Sequence, residues 1–110
     1  MDDTVELNDK NFVEEVLEHD GPVFVDFWGS WCTACQQMEP VVTELEKKYD
    51  GEEIKIGHLN IDKNPQISSK YEIEETPTHI LFENGEVVER QMGAMAKRQL
   101  EKMFQKVLDG

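Results

Sequence analysis

Apolar positions along the chain change their spacing from segment to segment, and each change marks an element. Val5 to Leu7 is a short strand candidate, and Asn8 or Asp9 can cap a helix carrying Phe12, Val13, Val16 and Leu17 on one stripe, ended by Gly21-Pro22. Val23 to Trp28 is apolar except for Asp26, the pattern of a strand buried on both faces. A helix is predicted from near Cys32 to about Tyr49, with Met38, Val41, Val42, Leu45 and Tyr49 at helical spacing and Pro40 kinking it. Ile54 to Ile61 reads as a strand, and Asp62-Lys63-Asn64-Pro65 as a loop into a short helix from Pro65 to Tyr71. Thr78 to Phe82 and Glu86 to Met92 flank Asn84-Gly85, a strong hairpin signal. Leu100, Met103, Phe104, Val107 and Leu108 form one face of a last helix.

The order β-α-β-α-β-α-β-β-α predicts an α/β domain with a mixed sheet and helices on both faces. With 110 residues there is room for a single domain spanning 1–110 and one modest core. Eleven Lys and Arg against 24 Asp and Glu give a net charge of -13, which repels nucleic-acid phosphates and anionic membrane surfaces; neither is an expected partner. A solvated, aggregation-resistant surface accounts for most of that acid, and its charge steers the chain toward positive docking surfaces. No apolar run approaches the roughly 20 residues of a membrane span, and the start Met1-Asp2-Asp3-Thr4 lacks the pattern of an export signal, so a cytoplasmic location is expected.

The chemistry lies in two cysteines three residues apart. A bridge closing so short a loop constrains the unfolded chain little, so stability is not its purpose. Disulfide exchange needs an attacking thiolate, a second thiol to resolve the mixed disulfide, and access. At the start of a helix, free backbone N–H groups and the positive end of the dipole favour a thiolate on Cys32, with Cys35 one turn on as resolving thiol. Half of a zinc site is the competing reading. It lacks two further ligands, since His19, His58 and His79 fall on separate elements, and neither a metal nor a cofactor is expected.

With Val25-Asp26-Phe27-Trp28, Trp31-Cys32 through Cys35, Pro40, Leu59-Asn60-Ile61-Asp62, Asn64-Pro65, Thr76-Pro77-Thr78, Phe82 through Glu86 and Gly93-Ala94, the chain resembles the thioredoxin family over nearly its whole length. The resemblance implies a five-stranded sheet of order 1-3-2-4-5 with four helices. It also implies reduction of protein disulfides with electrons from a thioredoxin reductase, by a monomer. Asp26 shares a strand face with Phe24 and Trp28, and burial there would raise its pKa and fit it to accept the Cys35 proton. Pro77 resembles the family's cis-proline, and Trp28, Trp31, Thr76, Pro77 and Gly93 are expected to form the substrate-docking surface.

Some positions depart from the family. Thr33-Ala34 replaces the usual Gly-Pro; the restored backbone N–H and the Thr33 hydroxyl are expected to stabilise the Cys32 thiolate and make the potential more oxidising. Thr76 stands where isoleucine is common, its hydroxyl expected near the sulfurs. His58 replaces a frequent lysine beside Asp26: it is either part of a pH-responsive proton route or a satisfied strand histidine. Retuned residues suit a pathway-specific reductase, or a disulfide donor or isomerase. A redox-inactive binding subunit is a third reading, opposed by the intact Trp-Cys-x-x-Cys, Asp26 and Pro77.

Overall fold

A computed structural model of the chain describes residues 5–49 and 54–108. The acidic start Met1-Asp2-Asp3-Thr4 lies outside them. Five strands, β1 (Val5–Leu7), β2 (Pro22–Trp28), β3 (Lys55–Asn60), β4 (Thr78–Glu83) and β5 (Glu86–Met92), form one sheet in the order β1-β3-β2-β4-β5. β2 pairs parallel with β3 on one side and antiparallel with β4 on the other. That central position is why its sequence is almost continuously apolar: both faces are covered and both edges are hydrogen-bonded.

Alternation along β2 sends its side chains to two cores. Val23, Val25 and Phe27 join Phe12, Val16, Leu59, Ile67, Ile80 and Phe82 on one face. Phe24 joins Met38, Val42, Leu45, Leu81, Leu100, Met103 and Phe104 on the other, beneath α1 (Thr33–Tyr49) and α3 (Lys97–Leu108). The α1 and α3 stripes match the spacing in the sequence, and Pro40 sits inside α1 without ending it. On the opposite face lie α2 (Pro65–Lys70) and a short helical segment, Val13–Leu17.

That first segment differs from its sequence pattern. It is π-helical over Val13–Leu17, which rotates the stripe so that Phe12 and Val16 are buried while Val13 is 46% exposed. The two candidate caps also separate. Asn8 Oδ1 accepts from the Lys10 and Asn11 backbone N–H groups, and Asn11 Oδ1 accepts in return from Asn8 N–H, a reciprocal cap on the first turn. Asp9 instead caps α2, accepting from Ile67 N–H at 2.9 Å and Gln66 N–H at 3.2 Å.

The hairpin between β4 and β5 turns on Asn84 (φ 52°) and Gly85 (φ 84°), the pair of positive φ values that a two-residue primed turn requires. A Cβ at Gly85 would meet the Leu17 carbonyl oxygen at 2.7 Å, so glycine is needed for space as well as for conformation.

Candidate active site

The end of β2 runs through Gly29 and Ser30 into α1, and Cys32 stands at the junction. Its carbonyl accepts from Gln36 N–H, so Cys32 caps the helix whose first full residue is Thr33. The loop is braced from the β3 end: Ser30 N–H donates to Asp62 Oδ2 at 2.9 Å, Asn60 Nδ2 to Ser30 Oγ at 3.3 Å, and Ile61 N–H to the Trp28 carbonyl at 2.9 Å. Sequence reasoning did not single out these braces; the Asn60-Ile61-Asp62 run was visible only as part of the resemblance.

Cys32 and Cys35 are joined as a disulfide, both half-buried, and the Cys35 N–H donates to Cys32 Sγ at 3.0 Å. Among the described residues this is the backbone donor on that sulfur. Neither the Thr33 hydroxyl nor the Ala34 N–H bonds to it in the disulfide form; the expectation for those two residues concerns the thiolate of the reduced form. Trp31 is 95% exposed beside the disulfide, whereas Trp28 is half-buried and faces a cleft below it.

The Thr76-Pro77 peptide bond is cis, as the resemblance implied. Pro77 is buried, and its carbonyl accepts from Gly93 N–H at 2.7 Å. Gly93 has φ 87°, so its glycine meets a backbone requirement; a Cβ there would find only Glu75 Oε2, at 4.0 Å. Thr76 Oγ1 comes within 3.5 Å, and Cys32 Cβ within 3.9 Å, of the point a Cβ on Gly29 would occupy. Thr76, Gly29 and Cys32 thus meet at one spot.

Asp26 is the largest correction. Its side chain is only 13% exposed, as expected, but it is not alone. The register sets His58 of β3 and His79 of β4 directly beside it. Asp26 Oδ2 lies 3.0 Å from His58 Nδ1; the other imidazole nitrogen, Nε2, makes a short contact with Glu46 Oε2 of α1. His79, fully buried and stacked on Phe24 at 5.3 Å, brings Nε2 to 3.2 Å from Asp26 Oδ1, in contact but poorly aligned for a hydrogen bond.

Burial pushes the Asp26 carboxyl up, yet the hydrogen bond with His58 and the close approach of both His58 and His79 together outweigh it and hold Asp26 below the usual carboxylate range. The expected rise is overturned because, although burial is the largest single influence, the two histidines together exceed it. For His58, burial disfavours the charged ring, but hydrogen bonds to Asp26 and Glu46 and their charges push it up to about 10. These side chains bond to one another instead of converging on a point, and no group of three or more ligands suited to a metal ion occurs among the described residues.

A pH signature follows. A group whose pKa is raised on folding stabilises fully below its ordinary value, so the His58 contribution is complete below 6.5 and is lost as pH rises through about 10. The lowered Asp26 contributes above 3.8 and is lost as pH falls. The urea midpoint of the oxidised protein is expected to decline between pH 6.5 and 10, and His58→Gln to flatten that decline. An unchanged slope in the variant would refute the assignment.

Cys35, Trp28, Asp26, His58 and Glu46 all line one cleft of about 450 Å³ beneath the disulfide. Among the described residues no helix is long and apolar enough to cross a membrane. The thioredoxin family model matches residues 3–106. Thioredoxin 1 of Nostoc sp. is 40% identical over 98% of this chain and 100% of its own length. A thioredoxin of Rickettsia bellii is 44% identical over 86% of this chain and 89% of its own, and one of Chlorobaculum thiosulfatiphilum 42% identical over 88% and 89%. With the 1-3-2-4-5 sheet, the helix-capping Cys32–Cys35 pair and these relatives together, the chain belongs to the thioredoxin family of thiol–disulfide oxidoreductases.

Proposed function

We propose that this chain, acting as a single-domain cytoplasmic monomer, reduces the disulfides of other proteins and is itself re-reduced by a thioredoxin reductase. Cys32 is the nucleophile and Cys35 the resolving thiol. Trp28, Trp31, Thr76, Pro77 and Gly93 form the docking surface. The observation that carries this reading is the position of the disulfide, at the N-terminus of α1 and next to a 95% exposed tryptophan, where a thiolate is stabilised and a partner can approach.

In the forward direction the Cys32 thiolate attacks a substrate disulfide, and one substrate sulfur leaves. Cys35 then attacks Cys32 Sγ, and the second substrate sulfur leaves as the Cys32–Cys35 bond forms. Trapping tests it: Cys35→Ser should hold substrates, and the electron donor, as mixed disulfides on Cys32 that dithiothreitol releases. Failure to trap any protein while the wild type reduces insulin would contradict the division of roles.

Thr33 and Ala34 tune the potential. Ala34 carries a first-turn N–H that proline would lack, and it becomes useful when the reduced Cys32 bears charge. Thr33-Ala34→Gly-Pro is expected to make the potential more reducing by about 30 mV, equivalent to about 1.4 kcal/mol. Equilibration with glutathione measures it, and an unchanged potential would remove these two residues from the account.

A further inference from the structure

The side chain that borders Asp26 from β3 is held in an arrangement that only one of its protonation states can satisfy. Both ring nitrogens of His58 face carboxylate oxygens, Nδ1 toward Asp26 and Nε2 toward Glu46. A neutral imidazole donates from one nitrogen only, so two facing carboxylates call for the doubly protonated ring. This geometry occurs with Cys32 and Cys35 joined, that is, in the oxidised protein.

We propose that His58 holds, in the oxidised protein, the proton that Cys35 carries in the reduced one, so that the proton passes between them across the shared cleft each time the disulfide opens or closes. The proposal rests on the reading of Cys35 as the resolving thiol. In re-reduction, a donor thiolate attacks Cys32 Sγ, the Cys32–Cys35 bond breaks and Cys35 leaves with the electron pair. The His58 proton moves to Cys35 Sγ and leaves a neutral ring. A second donor thiolate then attacks the mixed disulfide, the donor is oxidised to its own disulfide, and Cys32 leaves as a thiolate. When a substrate is reduced the proton returns: Cys35 gives it to His58 and attacks Cys32 Sγ, and the departing substrate sulfur takes a proton from water.

Several features favour this route. The cleft lined by Cys35, Asp26, His58 and Glu46 is large enough to hold bridging water. A thiolate formed in this cleft is repelled by the carboxylates of Asp26, Glu39 and Glu46 that line it, and a proton passed from the imidazolium neutralises it, leaving a ring with one donor between Asp26 and Glu46. Asp26, kept ionised by its histidine neighbours, has no proton to donate near neutrality, so it positions the imidazolium and supplies a fixed anion.

The titratable groups around His58 come from four elements: Glu6 across from it on β1, Asp26 on β2, His79 on β4, and Cys35, Glu39 and Glu46 on α1. Of these, His79 is the competing proton holder, since it also meets Asp26. The two histidines can be told apart directly.

Ring ¹⁵N NMR of the full-length wild-type protein at about pH 8, oxidised and then reduced with dithiothreitol, reads each ring. The expected result is His58 as imidazolium in the oxidised form and neutral in the reduced form, with the state of His79 the same in both. A second measurement follows the redox equilibrium against pH. His58→Gln should take up one proton more per disulfide reduced than the wild type near pH 8, because its Cys35 proton must then come from solvent. An unchanged His58 ring, a change located on His79, or equal proton uptake in wild type and variant would each overturn the proposal. Insulin reduction, assayed separately, reports on the function itself, so loss of one does not imply loss of the other.

Discussion

Cys32→Ser is expected to slow insulin reduction by at least about a thousand-fold, because a serine hydroxyl offers no comparable anion for the first attack and nothing else at the site replaces it. The effect should fall on chemistry and not on folding. Cys32 is half-buried at a helix cap, and its carbonyl, which accepts from Gln36 N–H, is untouched by the substitution. Stability of the variant should match that of the reduced wild type within about 0.5 kcal/mol. Cys35→Ser makes the contrast: it keeps the first attack and loses the second, so it accumulates mixed disulfide where Cys32→Ser accumulates none. A Cys32→Ser protein retaining even a tenth of wild-type activity would mean that Cys35, or another group, can begin the reaction.

Phe104→Ala should produce the largest loss of stability among single core changes on the α1/α3 side, about 3–5 kcal/mol. The ring is fully buried and meets Phe24 at 4.9 Å and Tyr49 at 5.0 Å, both edge to face. Deleting it leaves a cavity bordered by two aromatic rings that are themselves fixed by the sheet and by α1, so the site collapses poorly. Against a total of roughly 5–15 kcal/mol the change is severe, and the melting temperature should drop by about 15 °C or more. Thermal unfolding measures it; a loss below about 1 kcal/mol would show that the core repacks. The damage should also reach the site, since Phe24 stacks on His79, which meets Asp26.

Much of this was legible in the residues. An apolar β2 with a single acid announced a central strand, Asn84-Gly85 fixed the hairpin, and the α3 stripe gave its buried face. These signals are local, and local signals survive without knowledge of neighbours. The π-helical twist at Val13–Leu17 was not legible, because the apolar spacing there fits an ordinary helix equally well. Nor was the capping of α2 by Asp9, since its partners lie far along the chain.

The same limit explains the reading of Asp26. Taken alone, a carboxylate in an apolar run is a group whose pKa rises. The resemblance set His58 beside Asp26, whereas His79 looked unrelated to both; yet β3 and β4 are the two neighbours of β2, and the register brings one histidine from each side. Aligning the three strand runs in the expected order would have found His79 as well. Glu46 was harder, because only the packing of α1 over the sheet puts it against His58.

The strand order has a further consequence, felt while the chain is being made. β1 emerges from the ribosome first, but its partner is β3: Val5 pairs with Gly57, about fifty residues later. β2 also waits for β3 on one edge and for β4 on the other. A nascent chain paused before β3 therefore offers a bare, almost wholly apolar strand to whatever lies nearby, and chaperone demand should peak in that interval.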